Sequence, residues 1–180
     1  MMRTGAEGLS LIRRSEGLRL KAYPDPASGG DPWTIGYGTT RDVYPGLEIS
    51  MDEAELRLAD ALAEFEAMVA EGCPGIANQN HFDALVSFAF NMGPGARGVK
   101  DGFMVLSSGN PPSIRRHYNA GDWCRAADEF PKWANPPLPG LVIRRARERA
   151  LFLGRDWRSI PDGNVLGALD IARGHNGIPA

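Results

Sequence analysis

Glu16, Asp25 and Thr34 stand in one short stretch, Glu16-Gly-Leu-Arg-Leu-Lys-Ala-Tyr-Pro-Asp25 followed by Trp33-Thr34-Ile-Gly-Tyr-Gly38. Breaking a glycosidic bond requires one carboxylic acid to protonate the departing oxygen and a carboxylate across the bond to stabilise positive charge or activate water. Glu16 and Asp25 can supply that pair. Glu16 is expected to close a helix, where the aligned peptide dipoles favour a proton on a carboxyl. Asp25 sits between Pro24 and Pro26, which hold it in an extended, water-exposed turn where an aspartate stays ionised. Thr34 is flanked downstream by Gly36 and Gly38, so its hydroxyl has room to orient a water. Each residue also has an ordinary reading: acidic side chains are common near helix ends and turns, and threonine is a good strand former.

The elements that must carry these groups can be read from pattern. Leu9 and Ile12 between charges, with Gly17 as a left-handed stop, predict a short helix over residues 6–16. From Tyr23 to Leu47 the chain is rich in glycine and proline, and Trp33, Ile35 and Tyr37 alternate with small or polar residues, which predicts a small hairpin-based sheet. Ser50 with Glu53 forms a capping-box pattern. Leu56, Ala59, Leu62, Phe65 and Val69 then recur at helical spacing, predicting a long helix to about Glu71 that Gly72, Pro74 and Gly75 end. A second apolar helix, with Phe82, Leu85, Val86 and Ala89 on one face, stops at Gly93-Pro94-Gly95. Shorter helical pieces are expected at Met104 to Ser107, Ser113 to Asn119 and Asp122 to Phe130, then a final helix with Val142, Ala146, Ala150 and Leu153 on one face. Residues 159–180 are weakly patterned and suggest no role.

With 180 residues and 43% hydrophobic content the chain can bury one core. A net charge of -2 gives no electrostatic case for nucleic acid. Positive charge is concentrated locally at Arg144, Arg145, Arg147, Arg149, Arg155 and Arg158. That run has two readings, a solvated helix face or contact with an anionic polymer. Cys73 and Cys124 suggest neither a disulfide framework nor a zinc site, and are expected as free thiols. His81, His117 and His175 lack metal-ligand spacing, so no metal is expected. The first fifteen residues carry no apolar run long enough for a signal peptide or membrane anchor, which points to a protein held in a cytosol without stable membrane insertion. No extra apolar stripe asks for a partner, so a monomer is expected.

The run from Glu16 to Asp25, then Trp33-Thr34-Ile-Gly-Tyr-Gly38-Thr39-Thr40, closely resembles the phage-type lysozymes, the endolysins of glycoside hydrolase family 24. Supporting matches follow in order: Ser87-Phe-Ala-Phe-Asn91-Met-Gly93, then Asn119-Ala-Gly-Asp122, Ala126-Ala-Asp-Glu-Phe130 with Trp133, and Leu138-Pro-Gly-Leu-Val-Ile-Arg-Arg145 through Phe152. The resemblance spans about residues 7–156. It implies an α+β, lysozyme-like fold: a small hairpin lobe over about residues 17–50, and a helical lobe over about 51–156 together with the N-terminal helix. The two lobes would share a long helix and face a common groove, and residues 157–180 would stay unassigned. It further implies a cofactor-free muramidase cutting the β-1,4 bond between N-acetylmuramic acid and N-acetylglucosamine in peptidoglycan glycan strands. Glu16 would then be the proton donor, Asp25 would support the attacking water or the oxocarbenium-like charge, and Thr34 would position that water. Phe90 and Asn91 would border the groove, an aromatic face suiting sugar C–H surfaces and an amide suiting acetamido groups; for Phe90 a core position is an equal alternative. Release to the wall would depend on a separate membrane-permeabilising protein. Two departures stand out. The interval from Asp25 to Thr34 is longer than in compact members and contains Asp31, a rival for the aspartate role, with the spacing from Glu16 favouring Asp25. Thr39 occupies a position where many relatives carry histidine.

Overall fold

A computed structural model describes residues 2–24, 29–163, 165, 167 and 168. The elements in order are α1 (Ala6–Glu16), β1 (Arg19–Tyr23), β2 (Thr34–Gly36), α2 (Met51–Gly72), α3 (Gln79–Met92), α4 (Ser113–Asn119), α5 (Trp123–Glu129) and α6 (Pro139–Phe152), with single 3-10 turns at Phe130–Trp133 and Trp157–Ser159. The chain resolves into two compact units, residues 12–64 and residues 1–11 with 65–180, the boundaries falling inside α1 and α2.

The unit of residues 12–64 is built around β1 and β2, which pair antiparallel with Arg19 opposite Gly36 and Tyr23 opposite Thr34. Residues 47–49 add to β1 through Ala22 N–H to Leu47 O and Ile49 N–H to Leu20 O, both 2.9 Å. The sheet thus starts upstream of the Tyr23-to-Leu47 stretch that sequence alternation marks, because backbone pairing, not side-chain pattern, recruits Arg19–Tyr23; its residues are mostly exposed. On one side lies a core of Ile12, Ile35, Tyr37, Ile49, Ala54, Leu58 and Leu62, all buried. The first half of α2 therefore buries the stripe Ala54-Leu58-Leu62, while Leu56 and Ala59 face water. This corrects the expected stripe at Leu56 and Ala59, whereas Leu62 and Val69 are buried as expected. The segment carries apolar residues on two helical faces, and spacing alone does not choose between them. Ser50 does cap α2, its Oγ accepting from Glu53 N–H at 3.1 Å.

In the larger unit α3 and α6 are buried over most of their length. Asn78 caps α3 by accepting from His81 N–H, and Gly93 ends it at φ 71°. Phe88 meets Phe103, Phe130 and Trp133 edge-on, and His81 stacks on Phe152 with ring centroids 4.0 Å apart. The start of α1 is fixed by a carboxylate from α3: Asp83 accepts from Gly5 N–H (2.8 Å) and Gly8 N–H (3.1 Å), which occupies donors that a helix start leaves open. Glu66 is buried, which by itself would favour its neutral form. Thr4 N–H, Thr4 Oγ1 and Arg3 all donate to it, and these bonds outweigh burial and hold the carboxyl below the usual range. Cys73 is buried, and desolvation pushes its thiol up to about 12; Cys124 is exposed.

Two expectations fail here. Residues 104–107 are not helical. Phe103, Met104 and Val105 donate instead to the carbonyls of Gly93 and Pro94, and Gly95 crosses Gly102 so closely that a Cβ on residue 95 would lie 2.7 Å from Gly102 N. The arginine run is mostly interior, not a solvated face or a surface for an anionic polymer: Arg144, Arg145, Arg147 and Arg149 are all buried. Each has a designated acceptor. Arg144 donates to Glu148 (3.1 Å) and Ser87 O, Arg145 to Glu148 and Asn91, Arg147 to Ile160 O (3.0 Å), and Arg149 to Asp128 (2.7 Å). Ser87 Oγ–H adds a bond to Glu148 at 2.8 Å, and Arg145 lies over the Phe88 ring at 4.7 Å.

A Cβ at position 8 would meet Asp83 Cβ and Cγ and Thr4 Cγ2 at 2.8 Å. Gly8→Ala should therefore destabilise the protein by about 1–3 kcal/mol in denaturant unfolding, the usual cost of overpacking. A second expectation concerns acid. Burial lowers the pKa of His81 below its ordinary 6.5. Its contribution to stability is thus complete above the unfolded value and is lost as pH falls through the folded one, because the unfolded chain takes up the proton first. Melting temperature should drop between about pH 7.5 and about pH 5.5, and less in His81→Leu than in the parent.

Candidate active site

Glu16 is the last residue of α1 and is half-buried. The helix stops because Gly17 takes φ 72°, with its N–H donating to Arg13 O at 3.0 Å. Within the same unit, Ile35 and Thr39 exchange both backbone hydrogen bonds at 2.9 Å, closing a three-residue turn of Gly36, Tyr37 and Gly38. Both glycines have positive φ, 64° and 95°, which a side chain would oppose. A Cβ on Gly38 would stand 3.6 Å from Glu16 Oε2. The carboxylate therefore sits against backbone that carries no side chain of its own. Thr39 supplies a backbone pair that does not depend on its side chain.

Tyr37, between the glycines, is buried and donates its hydroxyl to Glu55 Oε1 at 2.9 Å. Burial first, then the bond to Glu55, raises the tyrosine pKa and keeps it protonated as a donor. The other oxygen of Glu55 accepts from Arg13 Nε at 3.1 Å and from Arg13 Nη2. Arg13 lies on the last turn of α1. One glutamate of α2 thus joins the helix that ends in Glu16 to the turn beside its carboxylate.

Thr34 opens β2, half-buried, next to the fully buried Ile35, and in a strand successive side chains take opposite faces. Glu16 and Thr34 fall in the same compact unit. Asp25 lies outside the described residues, and Asp31 is exposed. Phe90 and Asn91 belong to the larger unit, at the end of α3. The Phe90 ring meets Phe65 edge-on at 5.2 Å, so part of it is committed to packing; Asn91 is exposed and its amide oxygen accepts from Arg145. Among the described residues, no group of three or more His, Cys, Asp or Glu is placed to hold a metal ion, and no helix is long and apolar enough to cross a membrane.

Sequence reading missed Glu55. Nothing local marks it, since it is one of several charges on α2 and its partners come from distant segments. The signal for Tyr37 was present, because it continues the alternation of Trp33 and Ile35 that marks one face of the strand segment.

The chain matches the phage lysozyme family over residues 13–148. It is 35% identical over 158 residues to the endolysin of Acyrthosiphon pisum secondary endosymbiont phage 1, an alignment covering 84% of this chain and 98% of that one. Its fold aligns with the active form of P1 phage endolysin Lyz at a TM-score of 0.71 and 31% identity, over 85% of this chain and 86% of that one. It also aligns with the muramidase domain of SpmX from Asticaccaulis excentricus at a TM-score of 0.69 and 30% identity, over 85% and 99%. Mostly helical with a small two-stranded antiparallel sheet, the chain belongs to the phage lysozyme family, glycoside hydrolases that degrade peptidoglycan to lyse the bacterial host.

Proposed function

We propose that the chain is a muramidase acting on the β-1,4 bond between N-acetylmuramic acid and N-acetylglucosamine, with Glu16 as proton donor. The observation that carries this reading is the Glu16 carboxyl at a helix end, beside the bare backbone of Gly38. With glycine at position 38, no Cβ fills the space 3.6 Å from Glu16 Oε2, which leaves room beside the carboxyl for a bulky sugar leaving group. Asp25 takes the complementary role, activating water or stabilising the oxocarbenium-like charge, and Thr34 holds that water. The proton passes from Glu16 to the departing glycosidic oxygen, while water adds at the anomeric carbon and gives up its proton to the second carboxylate. No cofactor enters the reaction. Phe90 and Asn91 contribute to glycan binding. The similarity to a muramidase domain supports the choice of bond. The enzyme works as a monomer, is held in the host cytoplasm, and reaches the wall when a separate protein permeabilises the membrane.

Glu16→Gln should keep the fold and abolish clearing of a cell-wall suspension; continued clearing by this variant would refute the acid assignment. Asp25→Asn should lose about a hundredfold or more in rate, on the scale of a lost general base, whereas Asp31→Asn should stay near the parent. The reverse order would move the aspartate role to Asp31. Product chemistry gives an independent check. NMR of freshly released fragments should show the inverted anomer, the outcome of direct attack by water with no covalent intermediate. The retained anomer would indicate a covalent route, and anhydro-muramic ends a transglycosylase.

A further inference from the structure

We propose that Glu55 is a positioning residue for this reaction, setting the distance between the helix that ends in Glu16 and the glycine turn that faces its carboxylate. The inference rests on the assignment of Glu16 as proton donor. Both oxygens of Glu55 are engaged, and on different segments: Oε1 accepts from the Tyr37 hydroxyl at 2.9 Å, and Oε2 from Arg13 Nε at 3.1 Å and from Arg13 Nη2. Arg13 lies three positions before Glu16, which puts the two on neighbouring points of the α1 surface. Tyr37 is the buried side chain of a turn whose two other members are glycines. The Ile35–Thr39 backbone pair closes that turn but does not tie it to α1; the chain of contacts from Tyr37 through Glu55 to Arg13 does.

Stability alone is a weak account of this arrangement. The Arg13 and Glu55 side chains are 38% and 33% exposed, and ion pairs open to water to that degree contribute little to folding. A carboxylate holding two donors from separate segments still fixes their geometry. Burial first, and then Glu55 itself, keep the Tyr37 phenol protonated, so the hydroxyl bond persists across the neutral range. A shift of the Gly38 turn would change the space and hydrogen bonding around the Glu16 carboxyl without removing any reacting group.

The test measures muropeptide release from purified peptidoglycan by Glu55→Ala, Glu55→Gln, Tyr37→Phe and the double variant Glu55→Ala/Tyr37→Phe, with Glu16→Gln in parallel and thermal melts for all. Glu55→Ala should lower kcat roughly ten- to a hundredfold, the scale on which a small misplacement of reacting groups acts. KM and melting temperature should stay near the parent, and the alkaline limb of the pH–kcat profile should move. Glu55→Gln, whose amide oxygen still accepts, should recover part of the loss. Tyr37→Phe should cost less than Glu55→Ala and add nothing to it, because the two act as one unit. A parent-like kcat in Glu55→Ala, or additive losses in the double variant, would overturn the proposal. Should Glu55→Ala unfold, Tyr37→Phe decides: a folded variant with unchanged kcat and pH profile overturns it, and a lowered kcat with a moved profile supports it. Full activity in Glu16→Gln would instead remove the acid assignment itself, whereas an inactive Glu16→Gln beside an unaffected Glu55→Ala leaves that assignment standing and removes only the role of Glu55.

Discussion

A helix that must stop at Glu16 is the constraint on which the site depends. Gly17 adopts a backbone angle that ordinary residues resist, so α1 ends with Glu16 and does not continue past it. Opposite, the Gly36-Tyr37-Gly38 turn offers main chain without a side chain beside Glu16 Oε2. Replacing either feature with a regular element would bury the carboxyl or cover it. The rest of the smaller unit serves this meeting: Ile35, Ile49, Ala54 and Leu58 hold the sheet on α2, and Glu55 joins turn to helix.

The larger unit solves a different problem, that of arginines inside a protein. Taking a guanidinium out of water is costly unless its donors are met, and removing one partner of a buried pair leaves the other uncompensated. Along α6 the acceptors come partly from the helix itself and partly from distant segments. Glu148 takes bonds from Arg144, Arg145 and Ser87, while Arg147 reaches the Ile160 carbonyl and Arg149 reaches Asp128. Arg145 also lays its flat cation on Phe88, which itself sits among Phe103, Phe130 and Trp133. Charge is thereby spliced into an aromatic core.

What could be read from the sequence was whatever chain-local chemistry decides. The limits of α1, the Ser50 cap of α2, the stop of α3 at Gly93 and the short helices α4 and α5 follow from caps, glycines and prolines acting within a few residues. Type and spacing made Glu16 and Thr34 candidates with an ordinary reading beside each, and it was the family, legible from motifs spread over the chain, that singled them out. The misses share one cause. Whether Leu56 or Leu58 faces inward, whether Arg145 is wet or dry, and whether residues 104–107 coil or bond back to Pro94 are settled by partners far away in sequence. Glu55 is the extreme case, since an exposed-looking glutamate on a charged helix gives no hint that a tyrosine and an arginine converge on it.

The contrast between the two cysteines has a practical corollary. Cys73 is enclosed and holds its proton to about 12, so the nucleophilic thiolate scarcely exists there at neutral pH, whereas Cys124 is open to solvent. A maleimide dye or spin label added to the folded protein will thus mark a single, known point on α5, turning an unmodified chain into a ready spectroscopic reporter.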